Sequence, residues 1–213
     1  YGDIGRLDLI LEAEGDTPSR YKASKQADAL MLFYLFSAEE ITTILDRLGY
    51  PFDTGSIPAT IDYYLARTSN GSTLSRVVHA WVLARANRHQ SWALLHDALG
   101  SDLFGTQGRT TREGIHLGAM AGSVDILQRC YTGLEASDGG LRFSPHLPAE
   151  LCVLEFDILY HGQWITIHVD HASIPLRTLP CNAPPVPVSR GGNARARPPD
   201  APLRVPLGER TPP

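Results

Sequence analysis

The sequence predicts a mainly α chain that ends in a small antiparallel β-sheet domain, and two observations carry that prediction. Between residues 25 and 129, apolar residues recur at helical spacing in segments divided by capping and turn signals. After Gly139-Gly140 the pattern changes to short segments of alternating character. With 43% hydrophobic and 20% charged residues over 213 positions, the chain has apolar material for one sizeable core and for one or two domains.

The first helical segment is Lys25-Gln26-Ala27-Asp28-Ala29-Leu30-Met31-Leu32-Phe33-Tyr34-Leu35-Phe36. Its apolar run is nearly unbroken, exceeds ordinary strand length and has few β-branched residues, so a buried helix beginning at Lys25 is expected. Ser37-Ala38-Glu39-Glu40 is a capping-box pattern that opens a second helix, and Gly49 ends it at Leu48. Glu39 and Glu40 then read as an exposed first turn favoured by the helix dipole. A third helix starts near Pro58, with Ile61, Tyr64 and Leu65 on one face. Asn70-Gly71-Ser72-Thr73 is a turn signal, and the helix after it carries Leu74, Val77, Val78 and Trp81 at i, i+3, i+4 and i+7. Trp81 therefore reads as core rather than as a sugar platform.

Another helix, about residues 89 to 99, is expected to end at Gly100. A Gly-rich loop, Gly105 to Arg109, leads to Thr110-Thr111-Arg112-Glu113, a second capping box. A helix holding Ile115, His116, Met120, Val124 and Leu127 is expected to begin there. The loop is no nucleotide-binding fingerprint, because a strand does not clearly precede it. Beyond Gly140, residues 151 to 160 and 163 to 169 flank His161-Gly162 and read as a β-hairpin. From about residue 190 the tail has no usable periodicity, and much of it is expected to be disordered. The expected division is thus 1–138 helical, 139–190 β and 191–213 tail.

A net charge of -4 supplies no global field for nucleic acid or an anionic membrane. Cys130, Cys152 and Cys181 are odd in number and widely spaced, with neither a CxxC pair nor a His cluster at metal-ligand spacing, which favours a reduced, cytoplasmic protein. The sequence contains neither an apolar run of membrane-spanning length nor a signal-type start.

Four stretches in order carry a resemblance to a known family: Lys25-Gln26-Ala27-Asp28; Arg67-Thr68-Ser69-Asn70-Gly71-Ser72-Thr73-Leu74-Ser75; Gln107 to Met120; and Leu147-Pro148-Ala149-Glu150-Leu151. Together they resemble glycoside hydrolase family 65, the inverting α-glucoside phosphorylases, over roughly residues 1 to 180. The resemblance implies the later part of an (α/α)6 toroid followed by a small carboxy-terminal sheet domain. It implies phosphorolysis of an α-linked glucose disaccharide with inversion, giving β-glucose 1-phosphate and a free sugar. No cofactor is implied, only inorganic phosphate as co-substrate, with a homodimer in the full-length enzyme.

Inverting hydrolysis needs a second carboxylate to activate water. Phosphate is already an anion and needs donors and positioning. Two helix starts, Gly71-Ser72-Thr73 and Thr110-Thr111, offer hydroxyls and free backbone N–H groups where the dipole favours an anion. Read locally, these hydroxyls are helix caps, and His116 between Ile115 and Leu117 is a structural histidine. The resemblance assigns Ser72, Thr73 and His116 to phosphate, and Lys25 and Gln26 to hydroxyls of the glucosyl unit. The family's general acid lies upstream of the matched region, so the chain alone is expected to be inactive. Glu113 is explained by its capping box. Asn70 stands where the family usually has His, and Arg109 where it usually has Gly. The alternatives are a hydrolase of the same family, a non-catalytic carbohydrate-binding or structural fragment, and a helical protein-interaction module.

Overall fold

The computed structural model describes residues 7–104, 114–137, 139–179, 183–190, 193–197 and 203–206, with backbone alone described for the last two segments. The chain divides into two compact units, Tyr1–Val124 and Asp125–Pro213. The expected boundary at residue 138 falls instead between two paired strands of the second unit.

In the first unit the order is α1 (Leu7–Ala13), α2 (Met31–Leu35), α3 (Ala38–Arg47), α4 (Ile57–Leu65), α5 (Thr73–Leu83), α6 (Arg88–Phe104) and α7 (Leu117–Asp125). The predicted capping box opens α3: the Ser37 hydroxyl accepts from the Glu40 N–H, and the Glu40 carboxylate accepts from the Ser37 N–H at 2.8 Å. The capping hydrogen bonds hold the Glu40 carboxyl below its usual range. Pro58 sits in the first turn of α4. The core joins Ala27, Leu30, Val78, Val82 and Leu83, with Ile61, Tyr64, Leu65, Leu74 and Trp81 packed against it. Trp81 meets Tyr34 edge to face at 4.7 Å, so it serves packing, as its helical face predicts.

Three helix expectations are corrected. Residues 25 to 30 are not helical, and α2 is a single short turn, Met31–Leu35, in which Leu35 is exposed. The cause is competition for backbone groups: the Ser24 and Lys25 carbonyls accept from Ser69 and Gly71, and the Ala27 N–H donates to the Ser75 hydroxyl. The Lys25 carbonyl, which a helix would bond to the Ala29 N–H, is taken by Gly71, and the Ala27 carbonyl accepts from Met31 as the helical turn begins. Second, α6 runs through Gly100 to Phe104 rather than ending at residue 99. Gly100 is buried, and a Cβ there would lie 3.0 Å from the Phe104 ring, so the residue marks a close approach within a continuing helix. Third, α7 begins at Leu117, and the His116 carbonyl accepts from Ala119 and Met120. Ala119, Gly122 and Ser123 form its buried face, whereas Ile115, Leu117 and Val124 are exposed. The small residues allow close packing on α5, where a Cβ at Gly122 would come within 2.6 Å of Val77. Leu103, Phe104, Ile115 and Leu117 are each more than 70% exposed. The second capping box, Thr110 to Glu113, lies outside the described residues.

In the second unit a π-helical tract, Ile126–Tyr131, precedes β1 (Glu135–Ser137), β2 (Gly140–Phe143), β3 (Val153–Tyr160), β4 (Gln163–Asp170), β5 (Ser173–Thr178), β6 (Val186–Arg190), β7 (Asn193–Arg197) and β8 (Leu203–Pro206). They form two four-stranded sheets, β1-β2-β6-β7 and β3-β4-β5-β8. The predicted hairpin pairs Val153 with Asp170 through Tyr160 with Gln163, around His161 and Gly162, both at positive φ (46° and 76°). Two left-handed residues match the twist of a two-residue hairpin loop. Ile165, Ile167 and Val169 are buried and alternate with Trp164, Thr166, His168 and Asp170. Leu141, Phe143, Val186 and Val188 bury one face of the other sheet. The expected antiparallel sheet is β3-β4-β5-β8, and beside it the other sheet contains a single parallel pairing, β2–β6, among the described strands. The stretch expected to be disordered contributes β7, paired with β6, and β8, paired with β5. Asn193-Ala194-Arg195-Ala196-Arg197 alternates with the period of a strand, a signal masked by its polar composition.

One buried polar group sets a stability expectation. His79 on α5 is 2% exposed, and its Nε2 has no hydrogen-bond partner among the described residues. Burial pushes its imidazole down to about 4. The unfolded chain, with a histidine near 6.5, binds the extra proton first as pH falls. Stability is therefore full above pH 6.5 and declines towards pH 4, by on the order of 2–3 kcal/mol. Urea titrations of the parent chain and His79→Leu at pH 7 and 4.5 measure this: the parent should lose that much more than the variant. Equal losses would mean that His79 does not titrate as described.

Candidate functional site

The segment carrying Lys25 and Gln26 is stitched to the segment that leads into α5. Ser24 donates its N–H to the Arg67 carbonyl at 2.9 Å, Ser69 donates to the Ser24 carbonyl at 2.8 Å, and Gly71 donates to the Lys25 carbonyl at 2.8 Å. The Ala27 N–H donates to the Ser75 hydroxyl at 3.2 Å, across 48 positions of sequence. Two of the family-like stretches thus share one edge in space. Gln26 is exposed. The Lys25 ammonium is 2.9 Å from the Asp8 carboxylate of α1 and is about half-exposed. Asp8 is a partner that no sequence pattern indicated.

Asn70 sits at φ 55°, a left-handed conformation that asparagine adopts more readily than most side chains, and it turns the chain into α5. Ser72 occupies the N-cap position with extended backbone, yet its side chain makes no capping hydrogen bond. The cap reading of this hydroxyl therefore does not account for it. Thr73 follows at the first helical position and is only 5% exposed. The Ser69 hydroxyl is buried and has no hydrogen-bond partner among the described residues.

His116 immediately precedes α7. Its backbone N–H donates to one Asp102 oxygen at 3.0 Å, and its Nδ1 lies 2.5 Å from the other. Asp102 belongs to α6, and hydrogen bonds from the His116 ring, then from its backbone, hold the Asp102 carboxyl below the usual carboxylate range. Sequence reasoning missed Asp102, since it lies 14 positions from its partner with no motif linking them. Packing of α7 on α5 at Gly122 and Val77 places the helix that follows His116 against the helix that follows Ser72. The structure thus joins the Lys25 backbone to Gly71, next to Ser72, and packs the helix that follows His116 on the helix that follows Ser72. Arg109, Thr110, Thr111 and Glu113 fall outside the described residues.

Among the described residues there is no cluster of three or more His, Cys, Asp or Glu side chains able to hold a metal ion. No described helix is long and apolar enough to cross a membrane. What the arrangement offers is an amine, an amide, a non-capping hydroxyl at the start of an 11-residue helix, and a carboxylate-held imidazole. Such groups bind hydroxyls and anions.

A helical unit followed by a β unit agrees with the domain order of a carbohydrate-active enzyme family. The chain belongs to glycosyl hydrolase family 65: residues 1–125 match the family's central catalytic domain, and residues 134–194 match its C-terminal domain. It is 53% identical over 195 residues, 92% of this chain, to an uncharacterized glycosyl hydrolase of Mycobacterium tuberculosis, and spans 15% of that protein. It is 36% identical to a trehalose 6-phosphate phosphorylase of Lactococcus lactis, over 83% of this chain and 23% of that protein. A kojibiose phosphorylase of Escherichia coli is 26% identical, over 82% of this chain and 22% of that protein. A solved structure, named as a kojibiose phosphorylase from the human microbiome, superposes with a TM-score of 0.67 at 20% identity, covering 87% of this chain and 25% of that one. The chain therefore spans less than a quarter of the length of these curated relatives.

Proposed function

We propose that this chain forms the later part of the (α/α)6 toroid and the small sheet domain of an inverting α-glucoside phosphorylase. In the complete enzyme, a phosphate oxygen attacks the anomeric carbon from the face opposite the glycosidic bond. The bond to the departing oxygen breaks as a carboxylic acid elsewhere in the enzyme protonates it, leaving β-glucose 1-phosphate and a free sugar. Ser72, Thr73 and His116 serve phosphate, and Lys25 and Gln26 serve the glucosyl hydroxyls. The observation that supports this reading is the hydrogen bond from the Gly71 N–H to the Lys25 carbonyl, which joins the Lys25 backbone to the turn just before Ser72. The non-capping Ser72 hydroxyl supports it, as do relatives named as phosphorylases.

Steady-state kinetics on a full-length enzyme carrying this segment test the division of labour, with phosphate and disaccharide varied separately. His116→Ala should raise the phosphate KM and slow phosphorolysis, since a hydrogen bond to a charged group is worth roughly 1.5–3 kcal/mol. Gln26→Ala should weaken the sugar and leave phosphate alone. Maltose, trehalose, kojibiose, nigerose and trehalose 6-phosphate form the substrate panel, the last because the Lactococcus relative is named for it. Sugar release without phosphate would show a hydrolase, and an effect of His116→Ala on the sugar alone would sink the phosphate assignment.

A further inference from the structure

The contact between Asp102 and His116 is made at two points. One carboxylate oxygen accepts from the His116 backbone N–H at 3.0 Å, and the other faces ring Nδ1 at 2.5 Å. An ionised carboxylate only accepts, so the ring nitrogen facing it carries the proton. The two side chains are 14% and 23% exposed for Asp102 and His116 respectively, which limits competition from water for the contact. Nε2 is then the ring nitrogen left for a ligand. A neutral ring held this way presents Nε2 as an acceptor, and a protonated ring presents it as a donor.

We propose that Asp102 is a positioning residue that fixes His116 as the Nδ1–H tautomer and orients the ring, so that Nε2 is the atom offered to phosphate. The inference rests on the phosphate role of His116 given above. Nε2 can accept from the P–O–H of hydrogen phosphate when the ring is neutral and donate to its other oxygens when the ring is charged. A purely structural Asp102 would pin only the backbone ahead of α7. An amide separates the two roles. In Asp102→Asn the single carbonyl oxygen can still accept the His116 backbone N–H, but the NH2 group then faces Nδ1. That nitrogen must become the acceptor, and the neutral ring's proton moves to Nε2.

The tautomer can be read in the parent chain by 15N NMR of the His116 ring at pH 8.5, where the Nδ1–H form is expected; Asp102→Asn should show the Nε2–H form. In a full-length enzyme, Asp102→Asn should raise the phosphate KM about tenfold or more, leave the disaccharide KM unchanged, and add nothing further on a His116→Ala background. An Nε2–H ring in the parent chain overturns the proposal, as does an Asp102→Asn effect that persists undiminished without His116. If His116→Ala alone leaves the phosphate KM unchanged, the phosphate reading of the site fails, a result separate from the tautomer.

Discussion

Replacing Gly133 with alanine is expected to cost the second unit a large share of its stability. Gly133 adopts φ 59°, and a Cβ there would lie 2.2 Å from the Ser144 carbonyl oxygen, 2.5 Å from its carbon and 2.7 Å from its nitrogen. All three are backbone atoms, so no rotamer change relieves the overlap. The same two residues are joined by a hydrogen bond from the Ser144 N–H to the Gly133 carbonyl at 3.2 Å, and separation breaks it. Gly162→Ala is the matched control, because Gly162 has a similar φ of 76° but open space around its missing Cβ. Conformation alone costs about 1–2 kcal/mol at such a site, whereas overlap with backbone belongs with the rare changes of about 4 kcal/mol or more. Typical domains hold only about 5–15 kcal/mol. Urea unfolding of both variants should show the large difference, and equal costs would mean that the Gly133–Ser144 approach is not as close as described.

The second large effect is catalytic. Under the proposed function, this chain assayed alone should release no measurable β-glucose 1-phosphate from the disaccharide panel, while the full-length enzyme should. The family resemblance puts the general acid upstream of the stretches matched here, and general acid help is typically worth about 10²- to 10⁴-fold. On that reading the groups of this segment hold phosphate and sugar, but binding both partners equally in ground and transition states does not accelerate the bond cleavage. Robust release of glucose 1-phosphate by the isolated chain would refute the assignment and make Glu113 the carboxylic acid to test.

Features governed by neighbours along the chain are legible in the amino-acid sequence itself. The Ser37 capping box and the hairpin around His161-Gly162 are local devices, and both are present. Misreadings arise where tertiary partners override local preference. Lys25 to Leu30 has helix-forming residues, yet its backbone bonds to residues 67–75. Gly100 carries a stop signal, yet α6 continues through it, with Gly100 on the helix's buried face. The low hydrophobicity of Asn193 to Arg197 hides a strand whose stability comes from pairing with β6. In the proposed site, Lys25, Gln26, Ser72, Thr73 and His116 are singled out only by family motifs, since each has an ordinary local explanation in the sequence. Asp102 and Asp8 are not legible, because a single carboxylate on a helix says nothing about a partner more than a dozen residues away.

The exposed side chains around the Asp102–His116 contact govern how the polypeptide behaves in a test tube. Leu103 and Phe104 follow Asp102, and Ile115 and Leu117 flank His116, so four large apolar groups gather where the two polar ones meet. Water receives such surface poorly, and monomeric proteins rarely leave much of it open. Concentrated solutions of this chain are therefore expected to clump, more so in sulfate or phosphate salts, and less on dilution or with a mild surfactant.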